Sequence, residues 1–239
     1  MRTLTLGRRA RWIVLGAILL VIVIGLALFL VSRARCFTLT GSIICRVETG
    51  ERVVALTFDD GPTERGLSWA LPILERHGAR ATFFLVGREA EAAPHLVRQI
   101  TSAGHEAANH SYSHEVMMLR PSAFYDEEIQ RTNQVLQAAG APAPRLFRPP
   151  YGKKLAGLPR AVERRGLQMV MIDVEEPIEQ SDPAAYARAL LEQVRPGSII
   201  LMHLMYSANE TARAALPLVL QGLRERGFRV VTASQLIDG

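Results

Sequence analysis

Cysteine is scarce in this chain, with two among 239 residues. That count excludes a thiolate metal cluster and a disulfide framework, because either needs four or more cysteines. Acidic residues are absent before Glu48, and no charged side chain interrupts residues 12–31. The formal charge of +5 and the pI of 9.7 therefore mislead. Six of the 28 Lys and Arg flank the apolar run, so the remainder holds 22 against all 23 Asp and Glu, a balance of −1. No basic face for nucleic acid follows from such a balance. Internal repeats and low-complexity tracts are missing as well.

What is present at the amino end is a run long enough to cross a bilayer. As a helix, residues 12–31 would span about 30 Å, the thickness of the hydrocarbon core. A cleaved leader would have an apolar stretch of ~7–15 residues and a small-residue site of the Ala-x-Ala type. This run is longer and ends in Val31-Ser32-Arg33-Ala34-Arg35, where no such site occurs. The residues before Cys36 are equally unsuited to lipoprotein processing. Arg2, Arg8, Arg9 and Arg11 precede the run, which orients the amino terminus to the cytoplasm and the rest outside. The expected organisation is a basic cytoplasmic segment (1–11), a membrane anchor (12–31), a juxtamembrane segment (32–50) and one domain (51–239). Within 32–50, Thr and apolar residues alternate about Gly41 between Cys36 and Cys45, which suggests a small hairpin. In an oxidising compartment a disulfide there would contribute ~2–3 kcal/mol.

Beyond Gly50, short apolar runs alternate with amphipathic stretches. Strands are expected at 53–58, 81–86, 105–107, 146–147, 168–172, 198–203 and 228–232. Helices are expected at 67–77, 89–103, 122–139, 156–165, 183–194 and 209–226. Ser207 and Glu210 read as a capping box for the last helix. Seven strands alternating with helices imply an α/β domain with a parallel sheet closed, or nearly closed, into a barrel.

Four stretches carry chemistry. Thr57-Phe58-Asp59-Asp60-Gly61-Pro62 leaves two carboxylates at the carboxyl end of a strand broken by Gly-Pro. Chemistry in α/β folds is placed there. In His110-Ser111-Tyr112-Ser113-His114 the imidazoles are four apart, on one face if that turn is helical. With Asp60 they form a His₂-carboxylate set suited to Zn²⁺ with an open position. Phe147-Arg148-Pro149-Pro150-Tyr151-Gly152 is a rigid bend that aims Arg148 and Tyr151. Residues 198–203 form a buried strand ending in a lone His203. His77, His95 and His105 read as structural.

These stretches resemble the first, second, third and fifth motifs of the NodB-homology polysaccharide deacetylases, carbohydrate esterase family 4, in the family's order and over 51–239. The resemblance implies a distorted (β/α)7–8 barrel and a hydrolase that removes acetyl groups from sugars. It implies Asp60, His110 and His114 as ligands of a divalent metal, Zn²⁺ with Co²⁺ or Ni²⁺ as substitutes. Asp59 would be the general base and Arg148 its orienting partner. Tyr151 would offer its backbone N–H to the oxyanion, Leu201 would line the acetyl-methyl pocket, and His203 would be the general acid. The family's fourth motif ends in Asp-Trp; here Ile178 and Glu179 fall at those positions, and Glu175 or Glu176 could approach His203 instead. The expected substrate is an extracytoplasmic N-acetylhexosamine polymer of the peptidoglycan or poly-N-acetylglucosamine type. A lipid-linked sugar, or glycan binding without turnover, are the alternatives.

Overall fold

A computed structural model describes residues 7–239; Arg2 and the other residues of 1–6 in the expected cytoplasmic segment lie outside the described residues. Helix α1 (Arg8–Arg33) carries the apolar run, exposed along its length. The domain then runs β1 (Ile43–Ile44), β2 (Val53–Asp59), α2 (Glu64–Arg76), β3 (Thr82–Leu85), α3 (Gly87–Ala92), α4 (Pro94–Ser102) and β4 (Glu106–Asn109). It continues with α5 (Ser122–Ala138), β5 (Leu146–Phe147), α6 (Gly157–Arg164), β6 (Gln168–Val170), α7 (Pro183–Gln193) and β7 (Ile199–His203). Helix α8 (Glu210–Glu225), β8 (Arg229–Val231) and α9 (Ala233–Asp238) complete it.

The strands pair in the order β1-β6-β5-β4-β3-β2-β7, every named pairing parallel. Just past β6, Val174 bridges to Ile200 of β7 and draws the two sides of the sheet together. The barrel is distorted for a visible reason. Strand β8 takes the first half of β2, Val53 to Ala55, while β3 takes the second half, Thr57 to Asp59.

Side chains alternate across a strand, and this sorts β2 into two jobs. Val54, Leu56 and Phe58 join the layer beneath the helices with Leu67, Leu74, Leu190 and Leu216. Val53 and Ala55 face a second cluster with Phe84, Ala108, Ile199 and Leu201. Asp59 falls on the same parity as Ala55 and Thr57, so the alternation that builds the core also turns its carboxylate into the barrel.

Several local expectations are corrected. The hairpin about Gly41 does not form. Instead Ile43 and Ile44 add β1 to the sheet beside Met169 and Val170, while Cys36 and Cys45 are disulfide-bonded with Cα atoms 5.6 Å apart. The single helix over 89–103 is two, because Pro94 has no N–H to continue a helix and starts α4. Ser207 lies inside a 3₁₀ turn, so it does not open α8; Asn209 Oδ1 instead accepts the Tyr206 N–H at 3.0 Å. Helix α9 was not anticipated, although Thr232 and Gln235 form a reciprocal capping box at its start.

Candidate active site

Strand β2 delivers Asp59, and the chain then turns sharply, with positive φ at Asp60 (76°) and Gly61 (70°). A Cβ on Gly61 would lie 2.8 Å from Met205 Cγ, so both the backbone angle and the space favour glycine. On the neighbouring strand β7, His203 is the register partner of Asp59. The two side chains are 144 positions apart in sequence, and the parallel pairing makes them neighbours.

His110 and His114 converge without a helix, which corrects the expected helical turn. They sit in the irregular loop after β4, with positive φ at Ser111 (65°) and His114 (58°). Asn109 Oδ1 accepts the Ser111 N–H at 2.8 Å, and Ser111 Oγ accepts the His114 N–H at 3.1 Å. Buried Glu128 on α5 accepts the N–H groups of Tyr112 and Ser113 at 2.9 and 2.8 Å. His110 Nδ1 lies 2.8 Å from the Arg148 carbonyl. A carbonyl can only accept, so Nδ1 carries the proton and Nε2 keeps its lone pair towards the carboxylates.

Arg148 is buried above the Phe84 ring, with Cζ 4.0 Å from the centroid. Its Nη1 donates to Asp59 Oδ1 at 2.6 Å and to Thr57 Oγ1 at 2.8 Å, and its Nη2 donates to the Met171 carbonyl at 3.2 Å. Burial alone would raise the Asp59 pKa, but the Arg148 charge, with His110 and His203, holds it below the usual carboxylate value.

Ligand-capable atoms of Asp60, His110 and His114 all lie within 4.8 Å of one another. Tetrahedral zinc with ligands at about 2.0–2.2 Å requires spacings of about 3.3–3.6 Å, so small side-chain rotations suffice. Burial keeps both imidazoles below their ordinary pKa, with the Arg88 charge helping at His114, and so favours the neutral form that ligates. Burial, and the neighbouring Asp59 and Glu89 charges, push Asp60 up despite His110 and His203. A cation among these three would offset that cost, so the donor set fits a divalent metal.

The acid side resolves the choice left open between Glu175 and Glu176. Buried Glu176 bonds His203 Nδ1 through Oε1, and its Oε2 accepts the His203 backbone N–H at 3.1 Å. Tyr186 on α7 donates its hydroxyl to the same Oε2 at 2.5 Å. Burial lowers the His203 pKa, but the Glu176 hydrogen bond and the charges of Asp59, Glu176 and Asp60 outweigh it, leaving it raised to about 9. Ile178 and Glu179, aligned with the family's Asp-Trp, are exposed, and the carboxylate bonded to His203 is that of Glu176. Tyr186 and Glu128 were missed; each stands on a helix with no motif around it.

The side chains border one cleft of about 610 Å³, whose walls include Leu201, Tyr151, Met171, Lys153 and Arg35. Tyr151 has φ 59° inside a 3₁₀ turn, its ring 4.8 Å from that of His114. The turn is closed by the N–H groups of Gly152 and Lys153, bonding the Pro149 and Pro150 carbonyls. The remaining histidines stay structural: His95 pairs with Glu64 at 2.7 Å, and His105 accepts the Ala81 N–H at 3.2 Å.

The family model described as polysaccharide deacetylase matches residues 46–170, more than half of the chain. This chain belongs to the polysaccharide deacetylase family. A peptidoglycan-N-acetylglucosamine deacetylase from Bacillus cereus is 30% identical over 206 residues, covering 83% of this chain and 94% of its own. Among solved structures, a peptidoglycan N-acetylglucosamine deacetylase has a TM-score of 0.78 at 29% identity, covering 81% of this chain and 92% of the other. A CE4 family pseudoenzyme from Bacillus anthracis has a TM-score of 0.77 at 27% identity, covering 83% and 70%. Membership places this polysaccharide deacetylase among the hydrolases of non-peptide carbon–nitrogen bonds, on the barrel described above.

Proposed function

We propose that this chain is a membrane-anchored, metal-dependent deacetylase of an extracytoplasmic N-acetylhexosamine glycan of the peptidoglycan or poly-N-acetylglucosamine type. The observation that carries it is the placement of Asp59 beside His203, on adjacent strands, at the mouth that also holds Asp60, His110 and His114. In this reading 1–11 is cytoplasmic, 12–31 crosses the membrane and 51–239 acts outside. The exposed apolar face of α1, preceded by Arg8, Arg9 and Arg11 and by no acidic residue, supports that placement.

Asp60, His110 and His114 would hold the ion, with Zn²⁺ first and Co²⁺ or Ni²⁺ accepted by the same donors. Bound there, a divalent cation supplies Lewis acidity to the acetyl carbonyl and lowers the pKa of water to about 7. Asp59, kept ionised and oriented by Arg148, takes a proton from the attacking water as its oxygen bonds the acetyl carbon. Tyr151 offers its backbone N–H to the oxygen on which charge develops, and Leu201 contacts the acetyl methyl. His203 gives its proton to the nitrogen as the C–N bond breaks, because an amine leaves poorly unless protonated. Glu176 keeps that imidazole charged and aimed.

Acetate release by the full chain in detergent micelles tests the reading, with N-acetylglucosamine oligomers and peptidoglycan as substrates. Release should stop with a chelator and return with Zn²⁺. Release that persists in chelator and in Asp59→Asn would overturn it.

A further inference from the structure

The segment between the apolar helix and the barrel is not a loose tether. The buried ammonium of Lys154 donates to the Ala34 carbonyl at 2.6 Å, a bond whose loss would leave a buried charge unpaired. Arg35 pairs with Glu175 at 3.0 Å, next to the carboxylate that holds His203. Cys36 is tied to Cys45, and Thr40 Oγ1 donates to the Ala156 carbonyl at 2.7 Å. The Ser42 N–H donates to Glu163 Oε1 at 3.1 Å, and Ile43 and Ile44 are in the sheet. Residues 34–45 are thus fastened to the domain along their length, and Arg35 borders the same cleft as Asp59 and His203.

That attachment fixes a distance. Arg35 follows Val31, the last residue of the apolar run, by four positions. At 3.8 Å per Cα step they are at most about 15 Å apart. Headgroups add about 5–8 Å to each side of the hydrocarbon core, so the cleft's edge stands at or just above them. Phe37 (52% exposed) and Leu39 (47% exposed) project from this segment, and apolar side chains beside Arg suit an interfacial layer.

We propose that residues 34–45 form a wall of the substrate cleft and hold it at the bilayer surface. The enzyme then deacetylates a sugar whose glycan is itself attached to a lipid, in preference to polymer away from the membrane. This rests on the deacetylase reading and on α1 as the anchor.

The test uses the full chain in phospholipid vesicles. Three forms of one N-acetylglucosamine tetramer are compared: coupled directly to a phospholipid, coupled through a long polyethylene glycol spacer, and free. Both lipid-borne forms are set at the same surface density, so confinement to the vesicle is common to both and the height of the sugar above the bilayer is what differs. The direct form should react at least about tenfold faster than the spaced form. Inserting twenty Gly-Ser residues between Arg33 and Ala34 adds an r.m.s. span of about 25 Å. It should bring the two lipid-borne rates together while leaving the free rate unchanged. Arg35→Ala should raise KM several-fold on all three forms with kcat unchanged. Equal wild-type rates on the two lipid-borne forms would overturn the surface placement, and an unaltered KM in Arg35→Ala would overturn the wall. Acetate from the free tetramer alone would sink this inference and leave the deacetylase standing, whereas acetate from none of the three would overturn both.

Discussion

Side by side at the cleft, Asp59 is held ionised under a guanidinium and His203 is held protonated under a carboxylate. Each of the two groups ends a strand of one parallel pair, and each is flanked by a buried partner of opposite charge. The partners differ in origin. Arg148 directly follows β5 within a short motif, and its other donors are spent on Thr57 and on backbone carbonyls. Glu176 comes from the irregular stretch after β6 and is itself held by Tyr186 on a separate helix. The two groups are therefore tuned by the same device with the sign reversed, Arg148 reaching Asp59 across 89 residues and Glu176 reaching His203 across 27.

The largest effect is expected where the proposed base is removed. Asp59→Asn should lower kcat by about 10²–10⁴, with the bound metal, measured by elemental analysis, unchanged. On the other side, His203→Ala should cost about 10²–10³ on the N-acetyl substrate. It should cost far less on an acetyl ester of nitrophenol, whose leaving group needs no proton; equal losses on both would remove His203 from the acid role. Next comes the partner. The His203 pKa of about 9 lies above its ordinary 6.5, so the imidazolium predominates below about 9 and is lost as pH rises through that value. Activity should fall on that alkaline limb. Glu176→Gln should move the limb down towards 6.5, with about a tenfold loss at pH 8, and an unmoved limb would dismiss Glu176 as the tuning group. The same sign applies to stability: the pairing contributes fully below 6.5 and fades as pH rises through 9. Smallest is Tyr186→Phe, which removes one hydrogen bond of about 1 kcal/mol. A loss of a few-fold is expected, with Tm falling by a few degrees.

Much of this was legible because it is periodic or local. The alternation of Val53 to Phe58 with the Gly61-Pro62 break announces a buried strand that ends in carboxylates. Thr232 and Gln235 carried a capping signal that was overlooked. His110 and His114 were readable as a pair, yet their convergence comes from positive φ angles and from Glu128, and no spacing rule contains either. The alternation in 36–45 suggests a hairpin, yet alternation says that a strand exists and not which strand it pairs with; β6 is the better partner.

The anchor-like apolar run, the alternating strand–helix order and the residue types that meet at the strand ends are all legible in the amino-acid order alone. All of these follow from spacings of a few residues and from the chemistry of single side chains. It took the packing of the folded chain to select Glu176, and neither Glu175 nor Ile178, as the partner of His203, and to bring Arg35 to the cleft. Those outcomes hang on Val174 bridging to β7, Tyr186 arriving on α7 and Lys154 capturing Ala34 across 120 residues. Contacts at such separations are selected by how whole elements pack, and no local pattern encodes them.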